Sequence, residues 1–123
     1  MFKTIIYVAI GGAIGSVLRL LISIIINKYL SNSFPFATLL VNVLGCFLIG
    51  ILVGIFDKNN VIDTSLKYLL ITGFCGGFTT FSAFGLENVS LFQNQNPFYA
   101  LLYIGLSVVL GLAAVWFGLF ITK

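Results

Sequence analysis

The segment Gly73-Phe74-Cys75-Gly76-Gly77-Phe78-Thr79-Thr80-Phe81-Ser82-Ala83-Phe84 constrains this chain most, because it sits inside an apolar run long enough to span a bilayer. Adjacent glycines followed by adjacent threonines disfavour an uninterrupted helix. Gly76 and Gly77 are flexible and expose backbone, while Thr79 and Thr80 are β-branched and carry hydroxyls that compete for backbone hydrogen bonds. Non-helical backbone at membrane depth is tolerated only where protein buries it or where it lines a water-filled path. A third helix broken mid-membrane, with hydroxyls and two phenylalanines just beyond the break, points to an ion site or a pore. The same glycines equally suit a tight helix crossing.

The chain is 60% hydrophobic and only 7% charged, with a mean hydropathy of +1.18. Soluble domains carry about 25% charged residues, so the expected class is an all-α integral membrane protein. A span needs about 20 apolar residues, so 123 residues hold four spans and leave no room for a soluble domain. The first apolar segment is too long for a signal-peptide core and lacks a cleavage motif, so it is expected to be retained. Cys46 and Cys75 fall inside apolar runs without a C-x-x-C spacing, which reads as packing. A net charge of +3, dispersed along the chain, does not suggest nucleic acid.

The pattern predicts one four-helix domain over 1–123, with spans at about 4–27, 36–56, 66–92 and 97–121. A polar hinge, Asn27 to Ser33, separates the first two, and Pro35 suits the first turn of the second. Asp63-Thr64-Ser65 can cap the third, Gln93-Asn94-Gln95-Asn96 forms a loop, and Pro97 starts the fourth. Gly11 and Gly15, Gly50 and Gly54, and Gly73 and Gly77 form small-xxx-small pairs. Such faces suggest packing against another copy, or packing of the four helices of one subunit.

Polar groups inside spans are costly and each needs an account. Arg19 has no acid in its helix; it either snorkels toward Asn27 and Lys28 or faces an anion-attracting vestibule. Asn42 carries two donors and an acceptor, fit for bonding between helices or for an anion. Thr38 shares its face. Tyr103 and Ser107 stack four residues apart, with Gly111 continuing their face. Glu87 lies three residues after Phe84 as the sole carboxylate within a predicted span, consistent with a capped or interfacial group. Phe81 and Phe84 share a face, and a phenyl ring has a positive edge. Ring edges with amide and hydroxyl donors can replace water around a small, hard anion.

With these residues in view, the chain resembles the Fluc (CrcB-type) fluoride channels over essentially its whole length. The glycine-rich first helix with Arg19, the intramembrane Asn42 and above all Gly-Gly-x-Thr-Thr-Phe-Ser-x-Phe carry the likeness. The resemblance implies an antiparallel, dual-topology dimer with two fluoride pores, each lined by both subunits. It implies that Asn42, Phe81 and Phe84 form an aromatic box with its amide donor, and that Thr80, Tyr103 and Ser107 form a hydroxyl track. Thr38 and Glu87 match vestibule or track positions, and Arg19 the vestibule. Backbone carbonyls of Gly76 and Thr79 are similar to those that hold a structural sodium ion at the dimer axis, where a small hard cation meets an oxygen cage. Gly111 stands where some relatives have a third hydroxyl. The implied function is passive, selective export of fluoride across a prokaryotic cell membrane, in a multi-pass protein surrounded by lipid.

Rival classes fit less well. A four-span multidrug-type exporter needs a carboxylate in its first helix, where this chain has Arg19 and no acid. A non-transporting structural subunit explains the glycines but not the hydroxyls beside the break. An enzyme is not expected, for there is no histidine, no carboxylate pair, and no nucleophile spaced with a base. Lys3, Lys58, Lys67 and Lys123 flank one side of the membrane and Lys28 the other, which favours cytoplasmic termini. Either that bias is too weak to fix orientation and the chain pairs with a second copy, or it pairs with an inverted paralogous chain.

Overall fold

The structure, a computed structural model, describes residues 1–30, 34–94 and 96–123; residues 31–33 of the expected hinge and Gln95 of the expected loop lie outside the described residues. The elements are α1 (Phe2–Tyr29), α2 (Phe36–Lys58), α3 (Thr64–Lys67), a π-helix (Tyr68–Cys75), α4 (Gly76–Phe78), α5 (Phe81–Gln93) and α6 (Pro97–Ile121). There is no strand among the described residues. Four stretches are long and apolar enough to cross a membrane, namely α1, α2, the composite Thr64–Gln93, and α6. The fourth stretch has the bounds expected from the sequence, and α1, α2 and the composite third stretch each extend beyond the expected bounds by less than a turn at either end.

Local chemistry explains the ends. The Asp63 carboxylate accepts from Ser65 N at 3.0 Å and Leu66 N at 3.4 Å, capping α3. Pro97 occupies the first turn of α6, where its missing N–H costs nothing. Pro35 stands just outside α2 rather than in its first turn, with ψ 71, though its carbonyl still receives Leu39 N at 3.2 Å.

The third stretch is interrupted at the threonines, not at the glycines. Gly76 is helical, with φ −63 and ψ −38. Thr79 (φ −88, ψ 161) and Thr80 (φ −151, ψ 120) are extended, and α5 begins immediately after them. The π-helix upstream has no counterpart in the sequence reading. It shifts hydrogen bonding to i→i+5, and no residue pattern here announces that.

The glycines remain helical because they are contact surfaces. α1 lies against the π-helix and α4, and α2 runs along α6. A Cβ on Gly73 would come 2.9 Å from Val8 O and 3.1 Å from Gly11 Cα, and one on Gly77 would come 2.6 Å from Gly12 O. A Cβ on Gly11 would run into Leu69 O. Between α2 and α6, Gly118 presents the same restriction, 2.6 Å from Phe47 O. Lipid offers no hydrophobic drive for helix association, so this close backbone approach is a principal source of cohesion. Six small residues read as possible faces for another copy (Gly11, Gly15, Gly50, Gly54, Gly73 and Gly77) are thus occupied inside one chain.

Gly11→Ala is expected to destabilise the fold by about 1–3 kcal/mol through overpacking against backbone that cannot step aside. Gly105→Ala, whose Cβ would meet nothing within 4 Å, is expected to be neutral. Denaturant titration of the two variants in one detergent separates these outcomes.

A small core closes one end of the bundle. Phe34, Leu91, Ala100 and Tyr103 are buried together, with Leu39, Phe84 and Leu106 packed around them. Phe34 meets Tyr103 edge-on at a centroid distance of 5.7 Å. Elsewhere α1 and α6 expose apolar side chains such as Ile5, Ile24, Leu101 and Trp116, as lipid-facing helices do.

Candidate functional site

The interruption at Thr79–Thr80 frees peptide groups, and particular side chains take them up. Asn42 of α2 holds both backbone polar groups of Thr80, its N–H and its carbonyl. Its Oδ1 accepts from Thr80 N at 2.8 Å, and its Nδ2 donates to Thr80 O at 3.1 Å. Thr80 N therefore bonds a side chain instead of continuing the ladder onto Gly76 O. Upstream, Arg19 Nε donates to Gly77 O at 3.0 Å, and Ser16 Oγ lies 3.5 Å from the same oxygen. A buried carbonyl without a donor costs about 1–3 kcal/mol, so these bonds stabilise a geometry the helix ladder would not hold.

The two threonine hydroxyls also act locally. Thr79 Oγ1 donates to Cys75 O at 2.9 Å. Thr80 Oγ1 accepts from Ala83 N at 3.1 Å, the side-chain cap that starts α5. Ser82 Oγ lies 3.3 Å from Thr80 Oγ1. This leaves one Asn42 amide hydrogen and the Thr80–Ser82 hydroxyl pair as donors beside the interruption.

From there an aromatic ladder runs across α5 to α6. Phe81 and Phe84 have centroids 5.7 Å apart, and Phe84 meets Tyr103 edge-on at 5.0 Å. The two phenylalanines differ sharply in cover. Phe84 packs against the core cluster, whereas Phe81 is 83% exposed. Tyr103 is fully buried, and its hydroxyl donates to Glu87 Oε1 at 3.2 Å. Thr38 Oγ1 donates to Glu87 Oε2 at 3.0 Å. Glu87 is thus a bridged carboxylate joining α2, α5 and α6, rather than a simple interfacial group.

Glu87 also forms part of the wall of a cavity of about 290 Å³, together with Asn27, Ser90, Asn94 and Asn96. This polar recess leads to the Glu87–Thr38–Tyr103 cluster. Ser107 lies one turn beyond Tyr103 on α6, and its buried Oγ has no hydrogen-bond partner. A buried hydroxyl left unpaired in this way is available to a mobile ligand or water.

The structure therefore brings together Asn42 with Thr80, Phe81 with Phe84, and Thr38, Glu87 and Tyr103 with one another. It does not join the Tyr103 hydroxyl to Thr80, since that hydroxyl is turned to Glu87. Arg19 directs its Nε to the Gly77 carbonyl instead of snorkelling toward Lys28. Gly76 and Thr79 border a second cavity, of about 370 Å³, on the other side of the interruption. Sequence reasoning gave no site role to Ser16, Ser82 or Ser90. Ser16 carried a usable signal, since it precedes Arg19 by three residues on the same helix face. Ser82 meets Thr80 only two positions away, whereas Ser90 joins the wall of a recess that Asn27 of α1 completes.

Comparison with known proteins bears on this geometry. A family model described as "CrcB-like protein, Camphor Resistance (CrcB)" matches residues 6–119. A protein of Flavobacterium psychrophilum named fluoride-specific ion channel FluC is 54% identical over 121 residues, covering 98% of each chain. A protein of the same name from Azobacteroides pseudotrichonymphae is 50% identical over 123 residues, spanning 100% of this chain and 98% of the relative. One from Rhizobium etli is 47% identical over 116 residues, 94% of this chain and 93% of the relative. With the family model and these relatives matching almost end to end, the chain belongs to the CrcB-like family.

Proposed function

We propose that this chain is a passive, selective fluoride channel. Its working form is an antiparallel dimer of two copies, in which the interruption of the third span lies near mid-membrane. Full-length relatives bearing the name fluoride-specific ion channel support the ion. The observation that carries the reading is the Thr79–Thr80 interruption itself. Two extended residues stand inside a membrane-length apolar stretch, beside the Phe81–Phe84 ladder and the Asn42 clamp. Backbone of this kind belongs where it lines a path or is covered by protein.

The chemistry suits a small, hard, strongly hydrated anion. Fluoride needs short, strong donors to replace its water. The spare Asn42 amide hydrogen and the Thr80, Ser82 and Ser107 hydroxyls supply these, and ring edges of Phe81 and Phe84 add a weaker positive surface. Thr38 and Tyr103 hydroxyls, now held by Glu87, line the approach from the polar recess. Arg19 leaves its remaining guanidinium donors near the same break. Conduction then follows the electrochemical gradient, and a negative-inside potential moves the anion out of the cytoplasm.

Phe81 supports the second copy. A phenyl ring 83% exposed beside a polar break is covered when an inverted copy brings its own helices against it. The 370 Å³ cavity bordered by Gly76 and Thr79 lies on a surface that such a copy can close. The residues there fit a structural sodium ion. The Gly76 carbonyl has lost Thr80 N to Asn42, and a Cβ on Gly76 would meet only Ile71 O, at 4.0 Å, so the backbone is open to approach. Carbonyls of Gly76 and Thr79 from two chains would hold the ion, which would supply positive charge and tie the copies together.

Liposomes containing the purified chain alone test this reading, with valinomycin and potassium setting the voltage. The expected result is rapid fluoride release that chloride does not match, abolished in Phe81→Ile. Equal chloride release overturns selectivity. Absence of flux from a folded preparation overturns the homodimer and leaves an inverted paralogous partner.

A further inference from the structure

We propose that Cys46 and Cys75 form a chelating site for one soft, two-coordinate divalent cation, of which mercury(II) is the chemical type. Both thiols are free. Both line the same cavity of about 370 Å³ between α2 and the end of the π-helix, with Gly45, Ile49, Ile71 and Gly76 among its walls. They are 29 positions apart and lie on different elements, so only the fold brings them to one space.

Cys46 is half-buried and Cys75 is only 2% exposed, so an ion reaches the two sulfurs through the cavity they line rather than from an open surface. Each cysteine is flanked by a glycine, Gly45 before Cys46 and Gly76 after Cys75. A Cβ on Gly76 would meet only one atom, Ile71 O at 4.0 Å. On the α6 side the residue facing Cys46 is Gly111, whose added Cβ would lie 3.5 Å from the Cys46 sulfur. No side chain at position 111 therefore fixes the thiol from that side.

Ligand number and charge select the cation. Thiolate sulfur prefers soft metals. Zinc in a structural site takes four ligands, and among the described residues no group of three or more His, Cys, Asp or Glu could hold a metal. Two sulfurs remain, the natural coordination number of mercury(II). On binding, two S–H bonds break, two S–Hg bonds form, and two protons leave to solvent. The product is neutral, which suits a wall containing Ile49 and Ile71. Silver(I) or copper(I) on the same two thiolates would leave a net negative charge against that wall, at a desolvation cost.

The test titrates mercury(II) into the purified full chain in detergent. It follows the sulfur-to-mercury charge-transfer absorbance and the residual maleimide-reactive thiols. Saturation at one ion per chain is expected, with both thiols lost together. Glutathione should strip Cys46→Ser and Cys75→Ser at concentrations at least about tenfold below those that strip the unmodified chain, because each variant loses the chelate's effective concentration. Saturation at two ions per chain overturns the proposal, as do variants that retain mercury as well as the parent. Half an ion per chain assigns the sulfurs to two copies and overturns it equally. None of these readouts involves ion flux, so the site stands or falls apart from the channel reading.

Discussion

Asn42→Asp is expected to abolish fluoride flux, by about 100-fold or more, while the chain still inserts and folds. Asn42 bonds both backbone groups of one residue, accepting from Thr80 N and donating to Thr80 O. An aspartate can keep the first bond but has no hydrogen for the second. It instead sets an anionic oxygen against the Thr80 carbonyl and places a negative charge beside the anion's path. Loss of a buried partner costs about 1–3 kcal/mol for the group left bare, and charge repulsion adds to that. Every 1.4 kcal/mol is about tenfold in an equilibrium, so the two effects together exceed what the path can absorb. Asn42→Ala loses both bonds without adding charge. It should expose the Thr80 amide, read as faster hydrogen exchange at that position, with flux reduced by about tenfold or more. Wild-type flux in both variants would remove Asn42 from the site. Slow exchange at Thr80 in Asn42→Ala would show that something else holds the break.

Legibility of the site in the sequence followed a simple physical division. Features set by residue type within a few positions could be read. The four apolar stretches, the Asp63 cap, the Pro97 start and the vicinity of the break all come from local composition. Even there the break lies three positions beyond the paired glycines, at Thr79–Thr80. Paired glycines were read as weak points, yet Gly73 and Gly77 serve as flat surfaces for α1 and stay helical. The β-branched threonines carry the extended backbone, and Thr80 caps the helix that follows.

What could not be read depends on backbone groups and distant partners. Arg19 was assigned a vestibule or an interface because its acceptor, a main-chain carbonyl 58 positions away, has no residue signature. Glu87 read as interfacial because Thr38 and Tyr103 approach it from two other helices. The π-helix likewise reflects how Tyr68–Cys75 packs against α1 rather than the preferences of its residues. Asn42 stands out in the sequence as an intramembrane amide, but its two bonds to the backbone of one residue make it a clamp on the main chain as well as a donor.

Arg19 offers the second large effect, and its chemistry separates two roles. Gly77 O lies just before the interruption, where a continuous helix would supply Phe81 N. Phe81 instead begins a new helix, and Arg19 Nε fills the vacancy at 3.0 Å. Glutamine carries its side-chain nitrogen the same number of bonds from the backbone as arginine carries Nε. Arg19→Gln therefore keeps a donor at that point and discards the charge. Arg19→Lys keeps the charge but moves the donor one bond farther and removes the planar fork. If the carbonyl bond dominates, stability falls in the order arginine, glutamine, lysine, with lysine losing about 1.5–3 kcal/mol for a hydrogen bond to a charged donor. That order is the expected one, measured by denaturant titration beside flux. Arg19→Leu, which loses donor and charge together, should fall below both and lose flux by about tenfold or more. The reverse order, with lysine as stable as arginine and glutamine impaired, would mean that the positive charge matters more than the bond. Arg19 would then act as a vestibule charge, and Ser16, whose hydroxyl is 3.5 Å from the same carbonyl, would be left as its nearest side-chain donor.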